Sequence, residues 1–198
     1  MTTASACAVL ALLELDAVLI AQTLVSRPLV VGAVIGALTG NALAGALFGA
    51  VFELLSLCDL PVGGCLTWSA PVAAGTATLL SGRGTAAALC FLGGIAVGAL
   101  HSRIAAFERS RRAATGDALV LRAEAGGWTL GRALGLSIAA HAAMTFAVAG
   151  AVVSLVGFLD GRWWAGAPEF IRGGAALVSS SAPWIGLSGV AAWGLRRS

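Results

Sequence analysis

Charge is scarce in this chain. Only 11% of its 198 residues are charged, against about 25% in an ordinary soluble domain. Lysine is absent, and all 12 basic residues are arginine. No basic stripe interleaves with aromatic residues, which excludes a single-strand nucleic-acid binder. The four cysteines, Cys7, Cys58, Cys65 and Cys90, form no C-x-x-C pair. They read as small buried hydrophobes rather than as disulfides or metal ligands. The N-terminus has no positive n-region, and Glu14 and Asp16 interrupt its apolar stretch, so it does not read as a cleaved signal peptide. No Walker motif, H-E-x-x-H, nucleophile elbow or redox motif occurs. Nucleotide hydrolysis is therefore not expected of this chain, and neither a cofactor nor a bound metal is.

What is present is apolar. The hydrophobic fraction is 59% and the mean hydropathy +0.94. A globule of this size still exposes a large part of its surface, so it cannot hide that much apolar area from water. The composition predicts an all-α, polytopic integral membrane protein. Spans need about 20 mostly apolar residues. Candidate segments run Ser5 to Val25, Leu29 to Leu57, Pro61 to Leu80, Thr85 to Leu100, Leu134 to Leu159 and Gly174 to Leu195, about six in all. They divide the single domain into N-terminal membrane segments (1–100), a basic stretch (101–132) and C-terminal membrane segments (133–198).

The basic stretch, His101 to Arg132, reads as a cytoplasmic loop by the positive-inside rule, and so do Arg196 and Arg197. The hairpin tip bearing Trp163 and Trp164 then faces outside, where tryptophan suits the membrane interface. Counting back places the N-terminus inside.

The second segment is long for a single span. Gly32, Gly36, Gly40, Gly45 and Gly49 recur along it, with Thr39 and Asn41 midway. Small residues at this spacing allow close helix packing in lipid. A break or re-entrant turn at Thr39-Gly40-Asn41 is also expected, since irregular backbone is tolerated at membrane depth where it is buried or lines a cavity. Pro61, Gly63 and Gly64 form another interruption; such discontinuities often frame transporter sites.

Acids inside apolar segments are the candidates for function, because a carboxylate at mid-bilayer usually faces a protein interior or a water-filled path. Glu53 lies deep in such a run. Glu14 and Asp16 lie in the first segment, with Gln22 further on, and their spacing keeps the two acids off a common helix face. His101 and His141 are the only histidines. The first reads as interfacial, the second as lying inside the fifth span, and both as hydrogen-bonded structural residues.

Four pieces between Leu15 and Gly64 carry a specific pattern in order. They are the Asp16/Gln22 segment, Arg27-Pro28-Leu29, the glycine run ending in Phe52-Glu53-Leu54, and Leu60-Pro61-Val62-Gly63-Gly64. Together they resemble the membrane subunit IIC of the mannose–fructose–sorbose class of the bacterial sugar phosphotransferase system. A weaker similarity continues to Ala167-Pro168-Glu169. The resemblance implies a multi-pass protein of the bacterial inner membrane that forms a sugar path with a second membrane subunit, IID. Cytoplasmic IIB, and IIA through it, would carry the phosphoryl groups, so phosphoryl transfer is not this chain's own.

A sugar site wants carboxylates, amides and hydroxyls around an aromatic face. Glu53, Ser69, Gln22, Asn41 and Thr67 are the expected polar contacts and Trp68 the stacking face. Asp16, Arg27, Pro61, Gly63 and Gly64 are expected to shape the path. The expected partners are thus IID, IIB, a hexose-type sugar and the bilayer, with no nucleic acid; the G-x-x-x-G steps favour an oligomer. Two departures from the family stand out. Trp68-Ser69 replaces its usual Pro followed by Asp or Asn, and the sixth segment comes close to the chain's end. They motivate an alternative, a shortened non-transporting scaffold in a regulatory phosphorelay.

Overall fold

A computed structural model describes residues 2–18, 24–57, 68–124 and 130–195. Among the described residues every regular element is helical. They are α1 (Thr3–Val18), α2 (Pro28–Thr39), α3 (Ala42–Ser56), α4 (Ala70–Gly82), α5 (Ala87–Glu124), α6 (Leu130–Leu159) and α7 (Glu169–Leu195). A π-helical turn at Asp160–Trp164 ends α6.

Three helices are long and apolar enough to cross a membrane: Ala87–Gly116 within α5, Gly131–Trp164 through α6 and its π turn, and α7. The chain is a membrane protein on that ground. The other helices have 12 to 16 residues. At 1.5 Å per residue they reach about 18–24 Å, short of a hydrocarbon core of about 30 Å. The described residues therefore hold three helices of spanning length.

The long second segment is broken, as its glycines predict. Gly40 adopts φ 82°, a left-handed conformation, and its amide and that of Asn41 close on the carbonyls of Ala37 and Gly36. Asn41 then caps α3, its Oδ1 accepting from the Ala44 amide at 3.3 Å. The two legs return side by side at backbone contact. A Cβ on Gly36 would stand 2.7 Å from the Asn41 carbonyl oxygen, and one on Gly49 2.6 Å from that of Pro28. Hence the glycine spacing: the hairpin closes only where neither leg carries a side chain.

Helix α4 is the centre. Ala70 and every residue from Val72 to Leu80 are buried, packed among α1, α2, α3, α5 and α6. Leu10, Ile35, Phe52, Leu80, Phe91 and Val153 fill the core around it. A helix apolar on all sides is one wrapped by others, and α4 fits that rule.

The outward helices differ. On α6 and α7, Phe158, Phe170, Leu177, Trp184 and Leu195 are 58–79% exposed, the surface lipid or a partner would cover. Their serines bond backward into their own helix: Ser154 to the Gly150 carbonyl, Ser179 to Ala176 and Ser188 to Ile185.

The basic stretch is largely helix rather than loop. Helix α5 runs unbroken from Ala87 through His101 to Glu124, and α6 starts at Leu130. Alanine, arginine and glutamate favour helix in this stretch, and Glu108 pairs with Arg112 at i,i+4, 2.9 Å apart. His101 is consequently a buried residue in mid-helix, 1% exposed, not an interfacial one.

Candidate functional site

The packing sorts the polar residues by end. Helices α3 and α4 run in opposite directions, because Phe52 meets Trp68 edge to face at 5.6 Å while Thr39, at the hairpin tip, lies against Gly82. Call the Phe52–Trp68 end the base. Glu53, Arg27, Trp68, Ser69 and Glu14 all stand there, on the side from which the arginine-rich part of α5 emerges. Asn41 stands at the tip, about 16 Å away along α3 at 1.5 Å per residue.

At the rim of the base, Glu53 is committed to the hairpin. Its Oε1 meets Arg27 Nη1 at 3.1 Å, and its Oε2 accepts from the Leu29 amide at 3.4 Å. Leu29 is in the first turn of α2, so the carboxylate answers both a guanidinium and the unsatisfied amides of a helix N-terminus. Asp16 makes a similar contact, accepting from the Ser26 amide at 3.4 Å.

Deeper, a second set converges. The Ser69 amide donates to the Gly98 carbonyl at 3.1 Å, which pins the start of α4 to α5. Its hydroxyl then donates to Glu14 Oε1 at 3.0 Å. Glu14 is buried, and His101 Nδ1 lies 3.8 Å from the same oxygen. On its other side His101 Nε2 meets Thr145 Oγ1 at 2.9 Å. Thr145 in turn donates to the His141 carbonyl at 3.1 Å. The His101 and His141 rings meet edge to face at 5.6 Å. His141 Nδ1 reaches Glu108 Oε2 at 3.1 Å, and Arg112 holds that same oxygen at 2.9 Å. A continuous polar track therefore leads from Ser69 in the interior to the arginines of the α5 extension.

The track is incompletely satisfied. Among the described residues, Glu14 Oε2, His101 Nδ1 and His141 Nε2 are buried without a hydrogen-bond partner. One nitrogen of each imidazole and one carboxylate oxygen lie within 4.8 Å of one another. Buried polar groups left alone are costly, and each asks for an explanation.

Of the residues expected to contact a sugar, Ser69 joins Glu14, Trp68 is half-buried against Phe52, Glu53 pairs with Arg27, and Asn41 caps α3 at the far end. Gln22, Thr67, Pro61, Gly63 and Gly64 lie outside the described residues. The sequence reading did not anticipate that the histidines meet. Their one shared signal is that both fall near the boundary between an apolar run and the arginine-rich stretch. Cys7 and Cys90 are free, buried thiols. A crevice of about 370 Å³ between the start of α1, Arg83 and α6 lies at the tip and is mostly apolar. The sequence matches no protein-family model and no curated protein.

Proposed function

We propose that this chain is a membrane subunit of a sugar permease of the phosphotransferase type, forming the path for a hexose-type sugar with a second membrane subunit. The observation that carries the reading is the broken hairpin and what gathers at its base. Two legs too short to span pack backbone to backbone, and Glu53, Trp68, Ser69 and Glu14 collect where they end. Discontinuous helices with polar groups at their ends are the usual frame of a solute site in membranes. Trp68 and Ser69 then offer the aromatic face and hydroxyl a sugar needs; the sequence expectation adds Gln22 and Thr67, which lie outside the described residues. Glu53 serves as its carboxylate once Arg27 turns outward. Asn41 takes part only as the hinge of the hairpin.

The arginine-rich part of α5 rises from the base end. By the positive-inside rule that end is cytoplasmic, so a phosphoryl-carrying IIB subunit would approach the sugar from there. The exposed faces of α6 and α7 are where a IID subunit would pack. Phosphoryl transfer belongs to those partners.

The test is sugar uptake in a bacterial host without its own hexose permeases, with the chain co-expressed with IIB and IID subunits from the same genome. Phosphoenolpyruvate-dependent accumulation of sugar phosphate is expected, and Ser69→Ala and Glu53→Gln should each reduce it at least tenfold. Correct insertion with IID bound but no uptake would overturn the transport reading and favour the scaffold.

A further inference from the structure

One arrangement of protons satisfies the hydrogen bonds around the two histidines. In it the Thr145 hydroxyl donates to the His141 carbonyl and its oxygen accepts from His101 Nε2–H. His101 Nδ1 is then a lone pair, directed toward the Glu14 carboxylate 3.8 Å away. His141 faces Glu108, a carboxylate that also receives Arg112. Its Nδ1 must donate there, which leaves a lone pair on Nε2. Two imidazole lone pairs thus face the buried Glu14 carboxylate, whose Oε2 has no donor among the described residues, and one ligand atom of each of the three residues lies within 4.8 Å of the other two. Like partial charges converging in a low dielectric repel. What resolves such a set is a cation.

We propose that Glu14, His101 and His141 bind a divalent transition-metal ion of the zinc or cobalt type, joining α1, α5 and α6. Two imidazoles and one carboxylate form a nitrogen–oxygen ligand set suited to these ions. In a tetrahedral site with bonds of about 2.0–2.1 Å, neighbouring ligand atoms stand about 3.4 Å apart. The observed ligand atoms already lie within 4.8 Å of one another, and binding would draw them in by side-chain rotation. The surroundings are also those of a metal site. A ligating histidine usually gives its second nitrogen to a carboxylate or hydroxyl, which sets the ring's orientation. Here Glu108 does this for His141 and Thr145 for His101. Three protein ligands leave one position for water or a solute hydroxyl. Glu108 and Arg112 are partly exposed, at 22% and 35% of their side chains, and mark the side from which the ion enters. The inference does not depend on the sugar reading.

The test is a titration of the full chain, purified in detergent and stripped with chelator, with Co2+ alone. One equivalent is expected to bind, with the visible d–d absorption of a nitrogen- and oxygen-ligated ion. Glu14→Gln, His101→Ala and His141→Ala should each weaken binding at least about 100-fold. Glu108→Gln removes no ligand, and should weaken it about 10- to 100-fold by freeing the His141 ring. Circular dichroism and elution profile report folding for every variant, and if the histidine variants do not fold, Glu14→Gln and Glu108→Gln decide. Thr76→Val, a buried change on α4, should bind as wild type does. The proposal is overturned if wild type takes up no Co2+, which would assign the cation between these groups to a proton. Full binding in the folded ligand variants would overturn it equally.

Discussion

The α2–α3 hairpin and the cluster between α1, α5 and α6 both bring polar groups into an apolar molecule, and they differ in how those groups are answered. In the hairpin every polar atom of note has a partner. Asn41 caps α3, Thr39 bonds back to the Ile35 carbonyl at 2.9 Å, and Glu53 holds Arg27 and the Leu29 amide. In the cluster Glu14, His101 and His141 each keep an atom unanswered among the described residues. A satisfied set fixes a shape, whereas an unsatisfied one in the interior implies something that comes and goes. The difference sets a closed polar frame in the hairpin against an unsatisfied interior in the cluster, where the proposed metal site lies.

The largest way to break the comparison is to attack the hairpin's backbone contact. A Cβ on Gly45 would stand 2.8 Å from Gly36 Cα, and no flexible side chain can yield there. Gly45→Val is expected to lose about 3 kcal/mol or more, at or beyond the upper end of overpacking costs. Reversible unfolding in mixed micelles measures it. A loss below about 1 kcal/mol would mean that the legs are free to separate, and the hairpin would no longer be the rigid half of the pair.

The cluster should behave oppositely, and its stability should follow occupancy. With Co2+ at about 100 times its dissociation constant, a ligand of the native state alone adds about 2.7 kcal/mol. Wild type is expected to show that gain in the same unfolding measurement. Glu14→Gln keeps an oxygen for Ser69 while removing the charge, and is expected to show no gain and no loss of metal-free stability. A destabilised Glu14→Gln would instead give the carboxylate an architectural role, holding Ser69 at the start of α4.

Glu53→Gln comes next in size. The pair it breaks is shallow, since the Arg27 side chain is 52% exposed, and exposed pairs contribute about 0–1 kcal/mol. A double-mutant cycle with Arg27→Ala should therefore give a coupling below about 1 kcal/mol. A much larger coupling would place the pair in a dry environment and bring the hairpin closer to the cluster in kind.

How much of this was legible in the sequence follows from the range of each interaction. The break at Gly40–Asn41 was readable, because turn chemistry and glycine spacing are local. So was the prominence of Glu53 and Glu14, since an acid in an apolar run stands out by composition. The Arg27–Glu53 pair was not, because it joins residues 26 apart through a hairpin register that only packing sets. Nor was the meeting of His101 with Thr145, 44 residues apart. It requires α5 to continue through the arginine-rich stretch, where charge suggested a loop and helix propensity prevailed. Length alone did not settle the second segment either, since its apolar run holds two helices of 12 and 15 residues rather than one span.

The smallest expected effect separates the two kinds of unanswered polar atom. Thr76 Oγ1, on the wrapped helix α4, is also buried without a partner among the described residues, but Thr76 is not part of the three-residue ligand group. If an unmatched buried hydroxyl there is only a cost, Thr76→Val should raise stability by up to about 1 kcal/mol, since an unsatisfied buried group costs about 1–3 kcal/mol and valine keeps the shape. Glu14→Gln should give no such gain, because glutamine leaves a buried amide to be satisfied in turn. Unfolding curves of both variants under metal-free conditions measure the contrast. A destabilised Thr76→Val would mean that its hydroxyl is answered by water or by a solute. The unsatisfied interior would then extend along α4, from the Glu14 cluster toward the tip of the hairpin.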